Sequence, residues 1–377
     1  MIRRHFPSVA LSIAVCLLLG TSGIAQKGAA KPSRGGVDHK ARQERPIKLG
    51  TSGGNAGDLA NGYCCSGTLG ALVQKGTEQY ILSNTHVFAG DSVPGGNGDV
   101  SEAGDPVNQP GLIEVGCQNI PADYVATVTS WAVLGKDNVD AGIAQVVPGA
   151  VDATGAILEI GTISSSPIAA AVGQPVKKSG RTTGLTRSSV SGLNATINVG
   201  YSDECAGASF TAQFTGQILI NNKGSRFLAG GDSGSLMVED VASNPRPVGL
   251  LYAGSSSIAI ANPIQDVLNK FGVTMVGAAT SSATGAATGS GAGGGAAQAA
   301  GLARAMEVQG RHGRDLLGIP GAIGHAVGLG ASPVIKILVE EITPGAQAAA
   351  PRELEGVPVV LEEVGQVRAF PVCAKKK

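Results

Sequence analysis

From residue 48 to residue 276 the apolar runs of this chain are short, and Gly, Asn or Pro breaks each one after a few residues. Runs of that length suit strands, and the frequent breakers make turns between them. Residues 67–73 and 79–83 flank a turn at 75–78 and read as a hairpin. Residues 191–201 and 210–220 read as a second strand pair, and 236–238 with 247–253 as a third. That spacing predicts a mainly β domain, an antiparallel sandwich or barrel. The domain closes with a helix over 262–270, for which Asn262 is the expected cap and Pro263 the first helical residue.

The ends read differently. Arg3 and Arg4 precede an apolar run over 8–20, and Gly23-Ile24-Ala25 is a small-x-small cleavage site, so 1–25 reads as an export signal. An uncleaved anchor is the competing reading, but the run is short for a span. Val15 before Cys16 is too large for a lipoprotein signal. No other segment is apolar enough to cross a bilayer, so no membrane span is expected after cleavage. Residues 26–47 are polar and basic and read as a flexible segment. Residues 277–302 are rich in Gly, Ala, Ser and Thr and read as a flexible linker. Beyond it, 303–371 reads as a small α+β module: a helix finishing over 311–317, strands over 322–329 and 334–341, a short helix near 351–355, and a strand over 357–364. Lys375 to Lys377 reads as a solvated tail.

Twenty-eight basic residues balance 28 acidic ones, so the charge marks no nucleic-acid partner. Without the signal five cysteines remain: Cys64, Cys65, Cys117, Cys205 and Cys373. Export permits disulfides. Vicinal Cys64 and Cys65 are poorly placed to bond each other, so one of them is expected to bridge to Cys117 or Cys205. With no CxxC and no nearby histidine, neither a metal nor another cofactor is expected.

The chemistry can be found by elimination. Of the five histidines only His86 lies in the β domain, at the end of the apolar run 80–83. Asp140 is embedded among small and apolar residues, and a buried carboxylate needs a partner. His86 is the natural one, because an imidazole Nδ1–H needs an acceptor to hold its tautomer. Ser233 sits in Gly230-Gly231-Asp232-Ser233-Gly234-Ser235, where glycines allow close approach of a substrate. The amides of Gly231 and Ser233 could then face one oxygen. Nucleophile, base, orienting acid and oxyanion donors together make an acyl-transfer set.

Ser83-Asn84-Thr85-His86, Val139-Asp140-Ala141-Gly142 and Gly231-Asp232-Ser233-Gly234-Ser235 resemble the three catalytic motifs of trypsin/chymotrypsin-like serine peptidases. Residues 176–200 resemble the bacterial streptogrisin and α-lytic branch. The resemblance covers about 69–276. It implies two packed antiparallel six-stranded β-barrels, a cleft between them and a polypeptide substrate. It also implies that His86 is the general base, Asp140 its orienter and Ser233 the nucleophile. Asp232 would be buried against an internal cation, for which Lys178 matches the branch and Arg181 is second choice. Tyr252, Ala253 and Gly254 match the strand edge that pairs with substrate. Two positions depart from the motifs: Asn84-Thr85 stands where Ala-Ala is usual, and Ser235-Leu236 where Gly-Pro is usual.

Two other classes compete. An α/β-hydrolase would need Gly-x-Ser-x-Gly and a histidine after the acid; Ser235 breaks the first, and only His312 and His325 could supply the second. An inactive binding module on a peptidase scaffold is the main alternative. The C-terminal module could bind a partner, aid folding, restrain the active site, or be a plain appendage.

Overall fold

Gly70 breaks the run over 67–73, expected as one strand, into two. The computed structural model describes residues 36–59, 62–90, 101–206, 208–224, 226–279, 292–369 and 372–375. Its contacts fall in two units, Met1–Gly36 and Val37–Lys377, and every element below belongs to the second. The expected signal over 1–25 lies outside the described residues. The first strands are β1 (Thr51–Asn55), β2 (Tyr63–Leu69), β3 (Ala71–Lys75), β4 (Glu78–Ser83), β5 (Pro106–Asn108), β6 (Tyr124–Trp131) and β7 (Gly142–Val146), with helix α1 (Thr85–Phe88) after β4. Next come β8 (Pro175–Gly180), β9 (Gly184–Tyr201), helix α2 (Asp203–Ala206), β10 (Phe210–Asn221), β11 (Leu236–Glu239), β12 (Pro247–Gly254), β13 (Ile258–Pro263), helix α3 (Ile264–Phe271) and β14 (Thr274–Met275). The C-terminal part holds α4 (Ala292–Leu317), β15 (Ala322–Leu329), β16 (Pro333–Val339), α5 (Pro344–Ala349), β17 (Glu353–Leu354), β18 (Val357–Glu363), β19 (Arg368–Ala369) and β20 (Val372–Lys375).

Among the described residues two large sheets form. In the first the order is β14-β3-β4-β7-β6-β5-β1-β2-β20. In the second β8, β9, β10, β13, β12 and β11 pair around a closed ring, because β10 meets both β13 and β9. Where the family resemblance implies two six-stranded barrels, the second sheet is barrel-like but continues to eleven strands, and the first runs as a nine-stranded path. The mainly β expectation stands. Leu72, Ile81, Leu82 and Phe88, all fully buried, anchor the first core; Ile197, Phe214, Leu219 and Tyr252 anchor one core of the second sheet. Packing such side chains away from water is the main force holding each layer.

Several local expectations give way. Residues 36–47, expected as flexible, lie on the domain: His39 and Ile47 are buried, and Arg42 pairs with Asp123 at 2.6 Å. Their polar groups find partners far away in sequence, which composition cannot reveal. Asn262 does not cap α3; it lies within β13, and Pro263, the last residue of that strand, takes the cap position without a side-chain bond. The linker expectation fails at 292–302, which belong to α4, consistent with the high helix propensity of the alanines there. The short helix falls at 344–349, where Thr343 caps it and Pro344 fits its first turn, while 353–354 form a strand. Lys375, expected in a free tail, ends β20 opposite Tyr63.

The C-terminal module is not a separate appendage to the barrel. β15 adds to β9 with Gly324 opposite Ile197 and His325 opposite Thr196, extending the same sheet through β16 and β18. Leu338, Val364 and Val367 enter the core that holds Phe214 and Tyr252. Helix α4 covers β15 and β16 through Ala305, Val308 and Leu316.

Candidate active site

His86 leaves β4 on the single turn of α1, where the polypeptide turns back toward β7. Its Nδ1 lies 2.5 Å from Asp140 Oδ2, and its backbone N–H reaches Asp140 Oδ1 at 3.3 Å. Both residues are buried. Asp140 stands just before β7, so strand pairing of β4 with β7 is what sets acid beside base.

A buried carboxylate with one partner would be costly, and the fold supplies more. Tyr201, at the end of β9, donates its hydroxyl to Asp140 Oδ2 at 2.9 Å. Burial, and then the Asp140 charge, holds the Tyr201 hydroxyl well above its usual range, so it stays a donor. Asn262 clamps the Asp140 backbone: its Oδ1 accepts from the Asp140 N–H at 3.1 Å, and its Nδ2 donates to the Asp140 carbonyl at 3.0 Å. Asn84 Nδ2 donates to the same carbonyl at 2.7 Å, and Thr85 Oγ1 lies within 2.9 Å of the Ala132 and Ala141 carbonyls. The unusual Asn84-Thr85 pair before the histidine therefore ties α1 to the acid's strand. Sequence reasoning missed Tyr201, Asn84 and Asn262 as site residues. The one available signal was that a buried Asp140 needed more donors than His86 offers.

Ser233 lies between β10 and β11, in a loop pinned from both sheets. Its carbonyl accepts from Thr68 N–H at 2.8 Å, and the Gly234 N–H donates to Leu251 O at 2.9 Å. Gly231 and Gly234 have φ of +91° and +92°, conformations that other residues rarely adopt. A Cβ on Gly70 would fall 1.8 Å from Gly234 O, so the bend between β2 and β3 can approach the loop only as glycine. The Ser233 hydroxyl donates to Tyr252 O at 3.2 Å rather than to His86. His86 Nε2 is buried and has no hydrogen-bond partner among the described residues. Catalytic hydrogen bonds often close only when substrate is in place. Tyr252, expected at the substrate edge, turns its ring into the core against Phe214, 5.1 Å between centroids. It offers the site its carbonyl only. Ala253 and Gly254, on β12, pair with β19.

Asp232 is fully buried beneath the loop, and Lys178 Nζ lies 3.3 Å from its Oδ2 with no exposure on either side chain. Thr182 N–H and Thr183 N–H donate to Oδ1 at 2.8 and 3.1 Å; Thr183 Oγ1 and Ala229 N–H donate to Oδ2 at 2.7 and 3.0 Å. Burial pulls the Lys178 ammonium below its ordinary 10.5 while Asp232 pushes it back up. Arg181, the second choice, pairs with Glu114 instead. The Ser235 departure is also accounted for: its hydroxyl donates to the Asp232 carbonyl at 2.6 Å, and Leu236 begins β11 as a core residue. Cys64 is bonded to Cys117, one of the expected pairings. No cluster of three metal-ligating side chains occurs among the described residues.

A family profile described as the Nal1 C-terminal domain matches residues 133–262. Glutamyl endopeptidase 2 of Streptomyces griseus is 29% identical over 167 residues, covering 42% of this chain and 81% of that protein. Among solved structures, a glutamic acid specific serine protease aligns with 21% identity and a TM-score of 0.42, over 61% of this chain and all of its own. Protease A of Thermobifida fusca aligns with 18% identity and a TM-score of 0.41, over 62% of this chain and 99% of its own. The likeness to the Streptomyces enzyme and the pairing of the strands agree on one architecture, and by it the chain has the bacterial trypsin-like serine peptidase fold.

Proposed function

We propose that this chain is a secreted serine endopeptidase that hydrolyses peptide bonds through an acyl-enzyme. The observation that carries the reading is the His86–Asp140 contact of 2.5 Å, with His86 Nε2 left over at the meeting of the two sheets. In the first step His86 Nε2 takes the Ser233 proton as Oγ attacks the scissile carbonyl carbon. Asp140, acceptor of Nδ1–H, stabilises the imidazolium that forms. The carbonyl oxygen gains negative charge, and the amides of Gly231 and Ser233 are the donors assigned to it. The imidazolium gives its proton to the leaving amine, the C–N bond breaks and the acyl group stays on Ser233. Water, deprotonated by the same histidine, then releases the carboxylate and restores the hydroxyl. No cofactor enters. Lys178 and Asp232 act beneath the loop as a positioning pair. The Cys64–Cys117 disulfide supports an oxidising destination outside the cytoplasm. No described helix is long and apolar enough to cross a membrane.

The test is active-site labelling with a fluorophosphonate, followed by peptide mapping. An adduct on Ser233, absent from Ser233→Ala and slowed about 10²–10⁴-fold in His86→Ala, is expected. Absence of an adduct from every folded form of the chain, including one with its C-terminal strands detached, would leave the inactive binding module. Profiling with a peptide library then reads the side-chain preference, including any for glutamate, which the Streptomyces relative's name carries.

A further inference from the structure

The last strands of the chain lie on both of the edges that flank Ser233. On one side β19 pairs antiparallel with β12, Ala369 opposite Ala253 and Arg368 opposite Gly254. These are the residues that the sequence marked as the substrate-pairing edge. On the other side β20 pairs antiparallel with β2, Val372 opposite Ser66 and Lys375 opposite Tyr63. Both edges touch the nucleophile: the residue before Ala253, Tyr252, holds the Ser233 hydroxyl, and Thr68, two places beyond Ser66, donates to the Ser233 carbonyl. Val372 lies over the oxyanion glycine, its Cγ1 2.9 Å from where a Cβ on Gly231 would stand. Ser233 is wholly buried and His86 is 1% exposed, unlike groups that must meet a polypeptide from solution.

We propose that the strands Arg368–Ala369 and Val372–Lys375 are a substrate-like inhibitor in cis, and that the full-length protein is a latent peptidase. The proposal rests on the peptidase reading of Ser233. An extended peptide adds to an open sheet edge through its main chain, with little demand on sequence, and β19 and β20 do this on both sides of the nucleophile. The C-terminal module supplies the leverage. Its sheet grows from β9, Val364 and Val367 are buried in the second-sheet core, and the Val367 carbonyl accepts from Gly200 N–H at 3.0 Å. A strand delivered from so fixed a base competes at high effective concentration with any free substrate. A covalent hold is present at the far end. Cys373, on β20, is itself disulfide-bonded, so the tail is held covalently as well as by its main chain. Release therefore needs reduction of that hold, cleavage of the tail, or both, and the active peptidase is made from the folded chain by one such event.

The experiment keeps the full chain. Arg368→Pro, Val372→Pro and Cys373→Ser together remove one N–H from each added strand and the covalent hold. Wild type treated with a mild phosphine reductant is the second form, and circular dichroism checks that both remain folded. Hydrogen exchange is followed in peptides covering 63–66 and 253–254, together with fluorophosphonate labelling of Ser233. Exchange and labelling both at least ~10-fold faster in the triple variant are expected, with a synthetic peptide of residues 366–375 slowing labelling again. Faster exchange with no labelling in any form supports the seated tail and removes the peptidase reading instead. Unchanged exchange at both edges, with the intact chain labelled as fast as the variant, overturns the proposal.

Discussion

Asp232→Asn should be among the most damaging isosteric changes in the molecule, and the geometry says by how much. Lys178 Nζ and Asp232 Oδ2 are 3.3 Å apart with neither side chain exposed. At the effective dielectric that suits protein sites, that separation corresponds to a gross attraction of about 5 kcal/mol, most of it set against desolvation. Removing one partner leaves the desolvation of the other uncompensated, a loss of about 3–5 kcal/mol. The two halves are unequal. In Lys178→Met the remaining carboxylate keeps four donors, from Thr182 N–H, Thr183 N–H, Thr183 Oγ1 and Ala229 N–H, so the lower end of that range is expected. In Asp232→Asn the ammonium keeps only Thr183 Oγ1 and the Gly184 carbonyl, and the new amide N–H₂ would face donors, so the upper end is expected. The double variant should be less unstable than the sum of the singles by about 2–3 kcal/mol. Urea unfolding read by the single tryptophan, Trp131 on β6, measures all three. The pH dependence has a definite sign. Burial already holds Lys178 below 10.5, and without Asp232 it falls further. The unfolded chain then binds more protons than the folded one, so the Asp232→Asn deficit should shrink as pH rises toward 10.5. Singles within about 0.5 kcal/mol of wild type, or strict additivity, would refute the reasoning.

Three further outcomes follow from the same geometry. Tyr201→Phe keeps the stack on Phe210, 4.8 Å between ring centroids, but loses the 2.9 Å bond to Asp140; it should cost about 1.5–3 kcal/mol by urea unfolding. Gly70→Ala would drive a Cβ to 1.8 Å from Gly234 O; a loss above ~3 kcal/mol, or no soluble folded protein, is expected in an expression and unfolding assay. His325 accepts from Gln309 through Nδ1 at 2.7 Å, and burial holds it at about 4 instead of 6.5. Its protonation favours the unfolded chain, so stability should fall as pH drops from 6.5 toward 4, by at most about 3 kcal/mol, and His325→Gln should flatten that window in urea titrations.

Much of the site could be read from local chemistry. The period and punctuation of the runs named the strands. The order of His86, Asp140 and Ser233 named the candidate reacting groups, because residue type alone decides what a side chain can donate, accept or attack with. Even the glycines of the nucleophile loop were legible, since only they tolerate φ near +90°. Partnership across the chain was not legible. Asn262 looked like a helix cap because Asn before Pro is a local cap signal, yet the fold spends it on Asp140 from 122 residues away. Residues 36–47 looked unstructured because their polar groups meet distant partners such as Asp123 and Glu159. The C-terminal strands showed the same limit most sharply. A period of two states that a segment is extended and which residues share a face, but not which edge it joins. The strands over 322–364 could be read in the sequence; that residues 368–369 and 372–375 join β12 and β2, opposite Ala253, Gly254 and Ser66, was decided by tertiary structure alone, because main-chain hydrogen bonds at a sheet edge leave almost no mark on the residues that make them.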